Sequence, residues 1–222
     1  MDNRKITIRR LFRADIPLAE KAFSAFDFLH YNPVCSRNLL PAMTYGQMWG
    51  SFDGENMVGC TWLVAADSPF FRDSTAAWEI ADLMEMPAED IMIAGYVWQA
   101  ENYEEYNIYA AFCHLWQMQS AKNGKRMVVH YSPRHINTDM GRLFRCGWQL
   151  CGLRGLDKLV PHFLFVKRTD FSDKDTEIPR NVKLCLVSDT KTLSMLCEHG
   201  YRGAGLDADN NILFVKGSDC ID

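Results

Sequence analysis

The chain has 222 residues, 48% of them hydrophobic and 23% charged, which is ample for a packed core and ordinary for a soluble protein. Its net charge of -4 leaves no basic footprint for nucleic acid or an anionic membrane surface. No apolar run reaches the ~20 residues needed to span a bilayer, so neither nucleic acid nor membrane is an expected partner.

The opening residues Met1 to Lys5 lead straight into an alternating strand, so no signal peptide is expected. Eight cysteines (Cys35, Cys60, Cys113, Cys146, Cys151, Cys185, Cys197 and Cys220) form no CxxC pair, and Cys60, Cys113, Cys185 and Cys197 sit inside apolar patterns. That usage points to reduced core thiols in a cytoplasmic protein, with no metal site.

In chain order, Lys5 to Arg10 alternates as a half-buried strand. Asp15 followed by Pro17 predicts a helix start, with Leu18, Ala22, Phe23 and Phe26 on one face. Asp27 to Pro33 is an aromatic-rich loop, and Arg37 to Met48 has helical spacing. Asp53-Gly54-Glu55-Asn56 between the runs 48–52 and 57–65 predicts a hairpin. A short amphipathic helix follows over Thr75 to Met84.

The organising stretch runs from Asp90 to Trp148. It reads as a continuous strand (Ile91 to Trp98), a polar loop, a helix (Ile108 to Ala121), and a turn at Asn123-Gly124. A second strand (Arg126 to Tyr131), a second helix (Asn137 to Cys146) and a Gly147-Trp148 stop complete it. After Gly152 a loop is expected, then a strand over His162 to Lys167. Residues 169–180 are the best linker, polar and ending in proline. A shorter second copy of the preceding pattern follows: strand (Val182 to Val187), helix (Thr190 to His199), Gly200-Tyr201, a loop, and a strand ending in Leu213-Phe-Val-Lys216. Its counterpart is Leu164-Phe-Val-Lys167.

This order of elements, and the run Asn137-x-x-Met140-x-x-Leu143-Phe144-x-x-Gly147-Trp148, resembles the GNAT acyltransferase superfamily. The resemblance covers roughly residues 5 to 168 and implies an α/β (α+β) fold. Its mixed β-sheet would be splayed at the central strand and flanked by helices in a domain of residues 1–168. A small C-terminal strand-helix-strand extension (181–222) would follow, extending or capping the sheet. It implies acetyl-CoA as cofactor, with the backbone of Tyr96, Val97, Trp98 and Gln99 along its pantetheine arm. Backbone amides of Asn107, Ile108, Tyr109 and Ala110 would meet the pyrophosphate at a helix N-terminus, and Asn137 stands where the family has a cofactor-contacting Asn. An Asn before an apolar helical run is equally a plain N-cap.

Two positions depart from the family pattern. Asn107 and Tyr109 stand where it has glycines, and Glu104 and Glu105 where it has a cation. Asn tolerates left-handed dihedrals, whereas a Tyr side chain is expected to narrow the approach of a phosphate. Phe144 stands at the family's general-acid tyrosine and has no proton to donate.

Acyl transfer needs a group to take the amine proton and an acid for the leaving thiolate. Glu101, just past the central strand, and Tyr131 or His130, at the end of its neighbour, are the candidates. The plain alternatives are a solvated Glu101 and a partly buried strand-end Tyr131. His114 is expected to be a packed or capped histidine. Cys146 lies at a helix C-terminus, where the dipole is expected to oppose a thiolate. Phe28 and Tyr31, with Trp98, Tyr103, Tyr106 and Tyr109, supply aromatic rings for a small-molecule amine substrate. Two functions therefore stand: an N-acetyltransferase acting on a small amine, or a non-catalytic protein of this fold that binds an apolar ligand or a protein partner. A homodimer built by sheet continuation fits either.

Overall fold

The computed structural model describes residues 5–24, 39–71, 75–133, 137–157, 160–170 and 182–216. Phe28, Tyr31 and nearly all of the 169–180 linker lie outside the described residues.

The N-terminal part runs β1 (Ile6–Arg10), α1 (Ile16–Ser24), α2 (Leu39–Tyr45), β2 (Gly46–Asp53), β3 (Asn56–Ala65) and α3 (Thr75–Met84). Gly54 takes φ 59° in the β2–β3 turn, as a DG hairpin requires. Asp15 does not cap α1. Its carboxylate turns back to accept from the Phe12 N–H and the Arg9 guanidinium at 2.8 Å each. The buried face of α1 carries Ala19 and Ala22, while Leu18 points out at 41% exposure. The run assigned to a helix up to Met48 turns into strand at Gly46, where it pairs with Val64.

The middle part holds β4 (Ile91–Ala94), β5 (Trp98–Gln99), a 3-10 turn (Glu101–Tyr106), α4 (Ile108–Lys122), β6 (Met127–Pro133) and α5 (Asn137–Arg145). Then come β7 (Gln149–Asp157), β8 (Val160–Arg168), β9 (Val182–Cys185), α6 (Thr190–Glu198), β10 (Tyr201–Leu206) and β11 (Ile212–Lys216). Two of these strands, β7 and β10, fall where the sequence reads as loop. Both are rich in glycine (Gly152 and Gly155; Gly203 and Gly205), which masks the apolar alternation. The C-terminal extension is accordingly strand-helix-strand-strand.

Among the described residues the strands form one mixed sheet in the order β1-β2-β3-β4-β6-β8-β7-β10-β11-β9, with β5 pairing β3. The C-terminal extension continues this sheet through β10 against β7, where Gly203 faces Leu150. One face is covered by α1, α2 and α3, whose Ala19, Ala42, Ile80 and Met84 join Trp62, Ile93 and Val129. The other is covered by α4, α5 and α6, whose Phe112, Trp116, Leu143 and Leu196 join Val128, Phe165 and Phe214. Burial of each such side chain is worth roughly 1.5–3 kcal/mol, so both layers are held by their apolar faces.

Candidate active site: a fork between β4 and β6

The strand expected to run unbroken from Ile91 to Trp98 is interrupted. Ala94 faces Leu63 and Trp98 faces Cys60, so one strand takes four steps where the other takes three. The extra residue is a bulge within Gly95 to Val97, and it bends the chain. Gly95 is required there: a Cβ on it would stand 2.1 Å from the Trp62 indole. The Gly95 N–H donates to Trp62 O at 2.8 Å, so the bent segment stays attached to β3.

On its other side β4 runs parallel to β6, and this ladder ends at Ala94 and His130. Past that point β6 continues, paired with β8 from Tyr131–Leu164 to Pro133–His162, while the bulged strand follows β3. The two strands part and leave a fork whose walls are Gly95–Gln99 and Tyr131–Pro133. Tyr96 and Val97 are buried within it, and Trp98 and Gln99 are half-buried at its outer end.

His130 sits at the base of the fork. It is 1% exposed, stacks on Trp116 with centroids 5.2 Å apart, and places Nδ1 3.3 Å from Ala94 O. Burial pushes its pKa down to about 4, so the imidazole is neutral. A neutral ring sealed between two tryptophans and the strand end takes no part in solvent proton transfer, which corrects the reading of His130 as a base. Its role is packing and holding the Ala94 carbonyl.

Tyr131 is the first residue past the ladder, directly in the fork, and is 6% exposed in the α1–α3 layer. Glu101 opens the 3-10 turn after β5 and is exposed. His114 is exposed on α4 rather than packed. Phe144 is buried against Phe165, ring centroids 5.4 Å apart, and is a core residue of α5.

The loop into α4 is tied down from both ends. The Tyr103 hydroxyl donates to Asp53 at 2.7 Å, and the Tyr103 and Tyr106 rings lie 5.5 Å apart. Asn107 takes φ 52° and ψ 26°, the left-handed conformation that a glycine would otherwise supply. Gly59 lets the helix start press on the sheet, since a Cβ there would come within 2.9 Å of Ile108. Ala111 N already bonds Asn107 O, which leaves the amides of Ile108, Tyr109 and Ala110 as first-turn donors at the positive end of a four-turn helix.

Tyr109 does not narrow this end: its ring is 4% exposed and turned into the α4–α5 core. The Arg142 guanidinium of α5 lies 5.6 Å from the centre of that ring, so a cation stands beside the helix start although the loop has none. Glu104 and Glu105 are exposed. Asn137 is the first residue of α5. Thus the residues around the α4 N-terminus fit a diphosphate. Gly59, Gly95 and Arg142 were missed in the sequence; the signal for the glycines was their place inside apolar strand runs.

Elsewhere, a cavity of about 710 Å³ lies against α3, lined by Asp67, Asp82, Glu85 and Glu89 among others. It borders the start of β4, the end opposite the fork. Among the described residues no group of three or more His, Cys, Asp or Glu side chains is placed to hold a metal ion. No described helix is long and apolar enough to cross a membrane.

No protein-family model and no curated protein sequence matches the chain. Solved structures do. The ribosomal-protein-S18-alanine N-acetyltransferase of Escherichia coli superposes with TM-score 0.55 at 9% identity, over 78% of this chain and 100% of that one. The yncA protein of Salmonella typhimurium, solved with its cofactor acetyl-CoA, gives 0.55 at 8% identity over 75% and 95%. An acetyltransferase of the GNAT family from Staphylococcus aureus gives 0.53 at 11% identity over 75% and 100%. Each is spanned almost whole, and about a quarter of this chain is additional to them. With the forked sheet and its strand order, these likenesses establish that the chain carries the GNAT acetyltransferase fold.

Proposed function

We propose that this chain is an acetyl-CoA-dependent N-acetyltransferase acting on a small amine. The observation that carries the reading is the fork at Ala94 and His130 with the α4 N-terminus beyond it, capped by a left-handed Asn107. The residues that would hold the cofactor are the backbone of Tyr96, Val97, Trp98 and Gln99 and the amides of Asn107, Ile108, Tyr109 and Ala110, with Asn137 alongside. Acetyl-CoA supplies, when bound, an acetyl group activated as a thioester. In this reading the exposed carboxylate of Glu101 takes the proton of the incoming ammonium. The Tyr131 hydroxyl, at the fork and shielded from water, is the proton donor in place of the missing tyrosine at Phe144. Phe28 and Tyr31 complete the amine pocket.

The same reading includes a homodimer built on β9, the last strand of the sheet order. Val182, Leu184 and Leu186 are 49%, 58% and 60% exposed on one side of it. Antiparallel pairing of two copies centred on Leu184 sets Val182 against Leu186 and Lys183 against Cys185, with no like charges opposed. Light scattering before and after truncation at Asp170 tests this, and an unchanged mass removes it.

Phe144 in the acid position favours a second reading, a non-catalytic protein of the same fold that binds an apolar ligand or a protein partner. Calorimetry with acetyl-CoA and with CoA separates the two. Micromolar binding, followed by loss of thioester absorbance with an amine panel, supports the enzyme. Glu101→Gln and Tyr131→Phe variants with undiminished turnover remove those roles. An absence of binding up to millimolar retires the transferase.

A further inference from the structure

Cys146 follows the last residue of α5, and Cys113 lies on the second turn of α4. The helices meet so that the two thiols are hydrogen-bonded to each other, Cys113 buried at 2% exposure and Cys146 half-exposed. Lys167 of β8 reaches the same place: its ammonium donates to Cys146 O and stands 3.4 Å from where a Cβ on Gly147 would be. Arg145 of α5 adds a second positive charge. The groups acting on the Cys146 sulfur are thus one thiol donor from α4, a lysine from β8 and an arginine from α5, and among them no carboxylate.

We infer that Cys113 and Cys146 form a peroxide-sensitive dithiol, with Cys146 the attacking sulfur and Cys113 the resolving one. A half-exposed thiolate amid cations, next to a second thiol, is the arrangement of reactive cysteines, whereas buried apolar thiols are inert. The chemistry balances as follows. The Cys146 thiolate attacks the outer oxygen of a hydroperoxide, the O–O bond breaks, and the alkoxide leaves as an alcohol after taking one proton. Cys146 becomes a sulfenic acid. The Cys113 sulfur then attacks the sulfenyl sulfur, the S–O bond breaks, and the hydroxyl leaves as water with the Cys113 proton. The sum is two thiols and one hydroperoxide giving one disulfide, one alcohol and one water. The disulfide ties α4 to the end of α5.

The helix-dipole expectation for Cys146 is overturned on the same grounds. The Cys113 hydrogen bond and the Lys167 and Arg145 charges outweigh burial and bring the thiol down to about 7, while burial raises Cys60 and Cys185. Those two serve as internal standards. Alkylation of the whole chain with iodoacetamide across pH 5.5 to 9.5, with peptide mapping, should show Cys146 half-reactive near neutral pH and Cys60 and Cys185 far above it. Cys113→Ser should slow Cys146 alkylation at pH 6.5 by roughly tenfold. Titration with hydrogen peroxide should then give a linked peptide joining Cys113 and Cys146, reversed by dithiothreitol and absent in Cys146→Ser. The mapping needs only the unaltered chain, so a variant that misfolds leaves the test intact. Cys146 reacting no earlier than Cys185, a link to any other cysteine, or sulfinic acid at Cys146 with Cys113 still free overturns the inference.

Discussion

The unit from Met127 to Arg168 and the unit from Val182 to Lys216 run through the same elements, strand, helix, strand, strand, but only the first meets another strand on its outer edge. In the sheet the first lies in the order β6-β8-β7 and the second in the order β10-β11-β9, joined through antiparallel β7 and β10. Their helices end alike, at Gly147 with φ 74° and at Gly200 with φ 78°. Met140 and Leu143 stand seven and four residues before one glycine, and Leu193 and Leu196 stand so before the other; all four are buried. Each final strand sends its lysine back toward the aromatic turn, Lys167 to Cys146 O and Lys216 to 5.7 Å from the Tyr201 ring. What differs is the neighbourhood. β6 meets β4 and parts from it at the fork, whereas β9 ends the sheet among the described residues with Val182 and Leu184 in solvent. The same local pattern builds a candidate site in one place and an edge in the other, because a site needs a second strand from outside the unit.

The sharpest way to break the parallel is to empty the same helix position in both. Leu143→Ala and Leu196→Ala should each cost about 2–5 kcal/mol of local stability. The first should lower the main denaturation midpoint. The second should speed amide exchange in 182–216 and leave β6 unchanged, because a peripheral unit opens sub-globally. Uniform acceleration from Leu196→Ala would mean that the two units fold as one.

Gly95→Ala tests the element that the second unit lacks. With the new methyl driven into the Trp62 indole at 2.1 Å, the loss should be about 3 kcal/mol in chemical denaturation, without faster exchange in β9 to β11.

His130 gives the first unit a pH dependence that the second has no means to share, since its own histidine, His199, is exposed. The folded pKa is depressed to about 4, so between there and the unfolded value the unfolded chain binds the extra proton. Stability is therefore complete above about pH 6.5 and falls as pH drops toward 4, by about 3 kcal/mol from this residue. Urea midpoints measured from pH 7 to 4 on the unaltered chain and on His130→Phe should diverge accordingly, with the flatter curve in the variant.

The smallest contrast is between the two lysines. Lys167→Met removes a hydrogen bond to a helix-terminal carbonyl and should cost about 1 kcal/mol by thermal denaturation. Lys216→Met removes only an exposed contact with a ring, and should stay within about 0.5 kcal/mol. Equal costs would mean that Lys167 caps nothing.

Much of this architecture was legible in the chain, and each legible part is short-range. The β2–β3 hairpin is written in Asp53-Gly54, α3 in its apolar spacing, the start of α4 in an Asn that tolerates φ 52°, and the register of α5 in Met140, Leu143 and Phe144. Strands β7 and β10 were not legible, because their glycines carry no side chain to mark a face, and their strand character comes from the partners they pair with.

By itself, then, the sequence determined which segments are helix or strand, where they turn, and which faces are apolar, since periodicity and turn chemistry act within a few residues. Only the tertiary structure decided that β4 breaks at Gly95 against Trp62 and that His130 closes the fork as a neutral ring. It also decided that Tyr109 turns inward under Arg142, and that Cys113 and Cys146 share a proton. Each of these joins residues dozens of positions apart, where burial and charge depend on what the fold brings alongside, and no local pattern carries that information.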